Sequence, residues 1–268
     1  MRRIDAAARR WAAAACAAIL ATPWLAGTAL AADCERASFV VAVDPGHTLA
    51  APGASSARGV PEVRFNDVLA ARIVAALRAA GFERSYLTRR GAEAITLDER
   101  ARSAQAHQAR LLLSVHHDSA QPHKLQVWSW RGQPRQYTDQ IRGFSLFVSR
   151  LNAEPARSEQ FARLLGARLL GACQRPTLHH AEAIAGENRE LLDPQLGLYR
   201  FDELAVLRLT QMPAVLFEAG VIVHRAEEQQ LRRATHQQRL AAAVVAAVGD
   251  FCEGRHAVPV PTPAAACR

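Results

Sequence analysis

The sequence predicts an α/β fold, a mostly parallel central sheet with helices on both faces, and three observations carry that reading. Apolar runs and helical stretches alternate from Ser38 onward, the rhythm of a parallel sheet with crossover helices. The runs are short and apolar, as strands buried on both faces require. The chain has 268 residues, 50% of them hydrophobic and 22% charged, enough for a substantial core in one or two domains.

Taken in order, Phe39-Val40-Val41-Ala42-Val43 is the first strand. Asp44-Pro45-Gly46 forces the chain out of it into a loop that carries His47. Leu69, Ile73, Ala76, Leu77 and Ala80 recur at helical spacing, which predicts a helix beginning at Glu62 and closed by Gly81. A strand over 85–88 and a helix over 97–107 follow, then the buried run Leu111-Leu112-Leu113-Ser114-Val115, which ends at His116. The stretch from Lys124 to Trp130 alternates as a further strand, and Phe161, Leu164, Leu165 and Leu169 mark a helix that Gly171 closes. Ala214-Val215-Leu216-Phe217 is the last core strand and delivers Glu218 to its end. Leu240, Val244, Val248 and Phe251 line one face of a closing helix. Between them, residues 174–197 hold Pro176, the pair His179-His180, Gly186, several carboxylates and Pro194. That is too long for an ordinary connection and reads as an inserted lid or regulatory segment.

Residues 1–31 read as a secretory signal peptide: Arg2, Arg3, Arg9 and Arg10 precede an alanine-rich apolar run that ends in Ala29-Leu30-Ala31, a small-residue cleavage pattern. The catalytic domain is expected over 32–252 and a Pro-rich tail, with Pro259, Pro261 and Pro263, over 253–268. Past the leader, no run of about 20 nearly charge-free residues occurs, so a multispan membrane protein is excluded. The expected location is the periplasm or cell envelope. Of the five cysteines, Cys16 falls in the leader. Cys34, Cys173, Cys252 and Cys267 remain, an even number in an oxidising compartment. They allow three two-disulfide connectivities, and none of the pairs has the spacing of a zinc ribbon or thioredoxin-type site.

The formal charge of +8 falls to +5 once the leader's four arginines and Asp5 are removed. That balance suits a carboxylate-rich partner. Nucleic acid is disfavoured by export and by the lack of a basic stretch with interleaved aromatics.

His47, Glu62 and His116 stand just after a strand, at a helix start and at the end of another strand, where a parallel α/β sheet gathers its functional side chains. Two neutral imidazoles and one carboxylate suit Zn2+ and leave one coordination position for water, the mark of a catalytic site. Glu218, flanked by Phe217 and Ala219, is the candidate base, because a desolvated carboxylate has a raised proton affinity. By spacing alone the same residues admit plainer roles, Glu62 simply favouring a helix dipole. His117, next to His116, would point the other way and support the site from behind or face the surface.

Val43-Asp44-Pro45-Gly46-His47, Pro52-Gly53-Ala54, Glu62 with Asn66 and Leu69, Leu87-Thr88-Arg89, Leu97 with Arg100, Ser114-Val115-His116 and Pro213 to Gly220 occur in the order of the zinc-dependent N-acetylmuramoyl-L-alanine amidases of the Amidase_3 family, which the chain resembles from about Phe39 to Phe251. The resemblance implies cleavage of the amide between the lactyl group of N-acetylmuramic acid and L-alanine of the peptidoglycan stem peptide. It implies His47, Glu62 and His116 as metal ligands and Glu218 as the catalytic glutamate. Arg89 and Arg100 match family positions, as substrate contacts or as ion-paired structural residues. The chain departs from the family in Thr48-Leu49-Ala50-Ala51 after the first histidine, in Asp118 where an asparagine is common, and in Val223-His224. Related amidases of cell division carry an inserted helix that occludes the zinc until an activating partner protein displaces it. The local density of carboxylates suggests that Glu182, Glu187 or Glu190 occupies the open zinc position in a resting state, the alternative being an ordinary surface excursion. The competing expectations are a non-catalytic peptidoglycan-binding or regulatory protein on the same fold, and a zinc peptidase that cuts within the stem peptide.

Overall fold

The structure, a computed structural model, describes residues 34–91 and 93–260. The leader expected over 1–31, the end of the tail and Cys267 lie outside the described residues. In chain order the elements are β1 (Val41–Pro45), α1 (Glu62–Ala79), β2 (Tyr86–Leu87), α2 (Leu97–Ala106), β3 (Leu111–Asp118), β4 (Gln126–Trp130), β5 (Gln133–Tyr137), β6 (Ser145–Val148), α3 (Pro155–Gly171), β7 (Glu190–Asp193), β8 (Leu198–Arg200), α4 (Ala205–Leu209), β9 (Ala214–Val221), α5 (Arg225–Leu231) and α6 (Ala234–Cys252).

Seven strands form one sheet in the order β2-β1-β3-β9-β6-β8-β7, and β4 and β5 make a separate hairpin. The pairs β1–β2, β1–β3, β3–β9 and β6–β8 are parallel, whereas β6–β9 and β7–β8 are antiparallel. The mostly parallel sheet expected from the strand–helix rhythm is therefore present, with antiparallel pairing confined to the half that follows β9.

The apolar runs are continuous because strand alternation feeds two cores. Val41, Val43, Leu111, Leu113, Val115, Val215 and Phe217 face the layer of α1, α3 and α6, where Ile73, Phe161 and Val244 complete one cluster. Val40, Ala42, Leu112, Ala214 and Leu216 face the opposite layer, closed by Ala104 of α2 and Val206 and Leu207 of α4. Helix α2 starts on a capping box between Thr96 and Glu99, which satisfies backbone donors that a helix start leaves open.

The structure adds to the sequence reading in three places. Strands β3 and β9 run on through His116 and Glu218 to Asp118 and Val221, so both functional side chains sit within strands and not beyond them. The four-residue β6 was not anticipated, because so short a run after the polar stretch around Thr138–Gly143 carries little periodic signal. Within residues 174–197, read from sequence as an inserted lid or regulatory segment without regular structure, His179–Ala181 form a 3-10 turn and Glu190–Asp193 are the edge strand β7 paired with β8.

Cys34 and Cys252 form a disulfide across 218 residues of sequence, and Cys173 is disulfide-bonded as well. Among the described residues no helix is long and apolar enough to cross a membrane.

Candidate active site

The carboxyl ends of β1, β3 and β9 lie side by side, in register Pro45↔Val115 and His116↔Glu218. In a parallel sheet this is the edge where the loops leave and ligands bind. Just past β1, His47 adopts a left-handed backbone at φ 64°, which a histidine tolerates only when its surroundings impose it. Those surroundings are hydrogen bonds: Gly46 N donates to Val115 O at 2.9 Å, and the buried Arg100 donates to the carbonyls of Pro45 and His47, both at 2.6 Å.

Asp44 anchors that arginine. Its carboxylate accepts from Arg100 at 3.1 Å, Thr88 at 2.5 Å and Ser114 at 2.9 Å. Arg89, 1% exposed, donates to Asp67 at 2.5 Å and to the carbonyls of Pro45 and Gly46 at 3.4 Å. Both arginines are thus buried braces of the loop that carries His47, the ion-paired structural role.

Pro61, extended at φ −65° and ψ 143°, makes Glu62 the first residue of α1. The Glu62 carboxylate reaches both imidazoles: Oε2 lies 3.0 Å from His47 Nε2 and Oε1 lies 3.1 Å from His116 Nδ1. It also accepts from Asn66 Nδ2 at 3.0 Å, Ala54 N at 3.1 Å and His117 N at 3.3 Å. Burial would raise its proton affinity, but the hydrogen bonds and charges of His116 and His47 outweigh that and hold it well below the ordinary carboxylate range. Asn66 in turn accepts from His117 Nδ1 at 2.8 Å. His117 is fully buried, and desolvation pushes it down to about 3, so it stays neutral as a support for Asn66.

The donor atoms of His47, Glu62 and His116 all lie within 4.8 Å of one another. Two glycines make that convergence feasible. A Cβ on Gly46 would lie 2.3 Å from the His116 ring, and one on Gly53, at φ 76°, would lie 2.4 Å from Glu62 Oε2. The cradle is therefore shaped by missing side chains, and its two nitrogens and one carboxylate oxygen fit a zinc-class cation.

Glu218 faces the same side of the sheet as His116, its register partner. Its Oε2 is buried without a hydrogen-bond partner, and burial, followed by the charges of Asp118 and Glu62, pushes the carboxyl well above its ordinary range. Two openings meet here. A cleft of about 430 Å3 exposes His47 and His116, and a cavity of about 150 Å3 exposes Glu218; Leu204 and Leu216 line both.

Glu182, Glu187 and Glu190 do not join the His47–Glu62–His116 cluster, which corrects the occlusion expected from their density in the sequence. Glu182 pairs with Lys124 at 2.9 Å, Glu190 with Arg200, and Glu187 with His180 at 3.0 Å. Cations nearer than the cluster claim each of them.

Sequence reasoning missed Asp118, His179 and His180 as a group. Their donor atoms also fall within 4.8 Å of one another, although about sixty residues separate Asp118 from the pair. Burial lowers the proton affinity of His179. His180 is pushed up to about 9, because the carboxylates of Asp118 and Glu187 outweigh its own burial.

Fold and cluster together define an α/β protein with a candidate metal centre at the carboxyl edge of its mostly parallel sheet. Residues 41–250 match the Amidase_3 family, described as N-acetylmuramoyl-L-alanine amidase. The chain belongs to that family, and so to the amidases of cell-wall peptidoglycan. It is similar to an N-acetylmuramoyl-L-alanine amidase of Mycobacterium tuberculosis, with 30% identity over 86% of this chain and 93% of that protein. It is also similar to a probable N-acetylmuramoyl-L-alanine amidase, AmiB, of Haemophilus influenzae, with 26% identity over 82% of this chain; there it spans about half of the relative, 53%. In fold it matches the crystal structure of the amidase Ami1 from Mycobacterium smegmatis, with a TM-score of 0.63, 24% identity, and coverage of 81% of this chain and 98% of that one.

Proposed function

We propose that this chain hydrolyses the amide between the lactyl group of N-acetylmuramic acid and the L-alanine of peptidoglycan stem peptides. His47, Glu62 and His116 hold a zinc ion, and Glu218 acts as the proton carrier. The observation that carries the reading is the convergence of two imidazoles and a carboxylate on one point, with a buried, partnerless carboxyl oxygen on the neighbouring strand. When bound there, zinc supplies Lewis acidity toward the scissile carbonyl and toward water.

The protein's own residues do the rest. Asn66, Ala54 and His117 fix the Glu62 carboxylate, so the donor geometry exists before substrate arrives. The cleft beside His47 and His116 takes the substrate, its wall built by Leu204, Val206 and Leu216. Glu218 accepts a proton from the attacking water, whose oxygen forms the new bond to the lactyl carbonyl carbon. As the carbon–nitrogen bond breaks, Glu218 returns a proton to the departing alanine amine. Burial suits it to both halves, since a carboxyl whose proton affinity is raised by desolvation is a stronger base toward the water and carries the proton it takes to the departing amine.

The expected setting is the cell envelope, reached through the leader read at 1–31, and the disulfide between Cys34 and Cys252 fits an oxidising compartment. The test is mass spectrometry of sacculi digested by the wild type and by Glu218→Gln. Intact stem peptides with a free N-terminal alanine are expected from the wild type alone. Peptides cut internally would make the chain a peptidase instead, and no released product would favour a binding protein.

A further inference from the structure

The geometry points to a second divalent-metal site, formed by Asp118, His179 and His180, for a borderline cation of the zinc class. It uses none of the residues assigned to the first centre, and it stands whether or not that assignment holds.

The convergence is close. His180 Nε2 lies 2.8 Å and His179 Nε2 3.4 Å from one and the same oxygen, Asp118 Oδ2. The two rings lie with centroids 3.9 Å apart, so both nitrogens are presented to that oxygen from one side of a short turn. Two imidazole nitrogens and a carboxylate oxygen form a donor set that zinc and its neighbours favour over calcium or magnesium.

An unsatisfied atom supports the site independently. His179 is only 7% exposed, yet its Nε2 is buried without a hydrogen-bond partner, the 3.4 Å approach to Asp118 forming no hydrogen bond. Buried ring nitrogens are almost always satisfied, and here the open nitrogen is aimed at an anionic oxygen. A cation between them satisfies both.

Each candidate ligand is also held at its far atom. Thr177 Oγ1 lies 3.0 Å from His179 Nδ1, and Glu187 Oε2 lies 3.0 Å from His180 Nδ1. Ser119 N donates to the other oxygen of Asp118 at 2.7 Å. Glu187 is steadied in turn by Gln121. Outer partners of this kind, a carboxylate or hydroxyl on the distal nitrogen of each histidine, are what orients metal ligands. The site also gives onto the catalytic region, since His180, Glu187 and Glu218 line the same cavity. A cation here would clamp the turn at His179–Ala181 to the end of β3.

The experiment uses the full chain, stripped by chelator and titrated with zinc chloride, with bound metal counted after desalting. Wild type is expected to hold two equivalents, and the double variant His179→Ala, His180→Ala and the single variant His47→Ala to hold one each. One equivalent in wild type that disappears in the double variant and survives His47→Ala would uphold this site and sink the first. Wild-type metal, whether one equivalent or two, that the double variant retains in full overturns the proposal. Should the double variant not fold, Asp118→Asn preserves the shape of the side chain and removes the anionic donor. At least a tenfold weaker second equivalent is then expected, and an unchanged affinity overturns the site.

Discussion

The two histidine and carboxylate clusters are built from the same donor types and differ in what holds them. In the first, each donor comes from a separate element of the core: the loop after β1, the first turn of α1 and the body of β3. In the second, two donors are sequence neighbours on one 3-10 turn and only Asp118 belongs to the sheet. The first is the more open, with the side chains of His47 and His116 31% and 17% exposed; those of His179 and His180 are 5% and 12%. Open metal positions go with chemistry and closed ones with architecture. The contrast teaches that the same donor types, held by different elements, can stand at very different solvent access within one chain.

The largest expected effect tests the chemical side of that contrast. Glu218→Gln should lower the rate of stem-peptide release from sacculi by about 10²–10⁴-fold while leaving the far-UV circular dichroism spectrum unchanged. Activity near the wild-type level would remove the distinction between the clusters. Next is the frame of the loop that leads to Glu62. The buried Glu228 accepts from Ser56 at 2.7 Å and pairs with Arg58 at 2.6 Å, so Arg58→Ala leaves a carboxylate in the interior without its counter-charge. Urea unfolding should register a loss of about 3–5 kcal/mol.

A comparable but pH-dependent effect lies outside both clusters. Burial pushes Glu227 up to about 7, even though it accepts from the backbone N–H groups of Gly143 and Val221. With its folded-state proton affinity above that of the unfolded chain, this group's contribution is fully present below about pH 4.5 and is lost as pH rises through 7. Glu227→Gln should therefore gain stability relative to wild type between pH 5 and pH 8, by about 2–3 kcal/mol in paired thermal melts. A difference that stays flat with pH would count against the shift. The smallest change is Asn66→Ala, which removes a donor to Glu62 and the acceptor for His117. It should weaken the first metal equivalent by about 10–100-fold and leave the second untouched, a result that would sharpen the separation of the two sites.

The legibility of the sequence follows the same divide. His47, Glu62, His116 and Glu218 each sit at a signalled boundary: Pro45-Gly46 after an apolar run, the start of a periodic helix, and the polar terminus of two further runs. Those signals alone admit plainer roles, and it is the resemblance to the amidase family that singles the four out. Strand alternation also separated His116 from His117 correctly, and the latter is the buried support of Asn66. The second cluster had no such signal. Asp118 meets His179 and His180 only because β8 and β7 join the sheet through the antiparallel β6–β9 pair, and neither β6 nor β8 has more than four residues with which to announce itself. The Glu182, Glu187 and Glu190 cluster looked like a gate for a related reason: carboxylate density is visible in a sequence, but the nearer cations Lys124, His180 and Arg200 are not visible as neighbours.

The disulfide between Cys34 and Cys252, whose Cα atoms are 5.2 Å apart, turns the polypeptide between them into a closed ring. A protease that cut the exposed tip of the β4–β5 hairpin, at Arg131–Gly132, would leave two fragments still tethered to each other. The N-terminal piece would contain His47, Glu62, His116 and Asp118, and the C-terminal piece Glu218 together with His179 and His180. A single nick would then separate the proton carrier from its imidazoles in covalent sequence but not in space, since both the disulfide and the β3–β9 pairing hold the halves together.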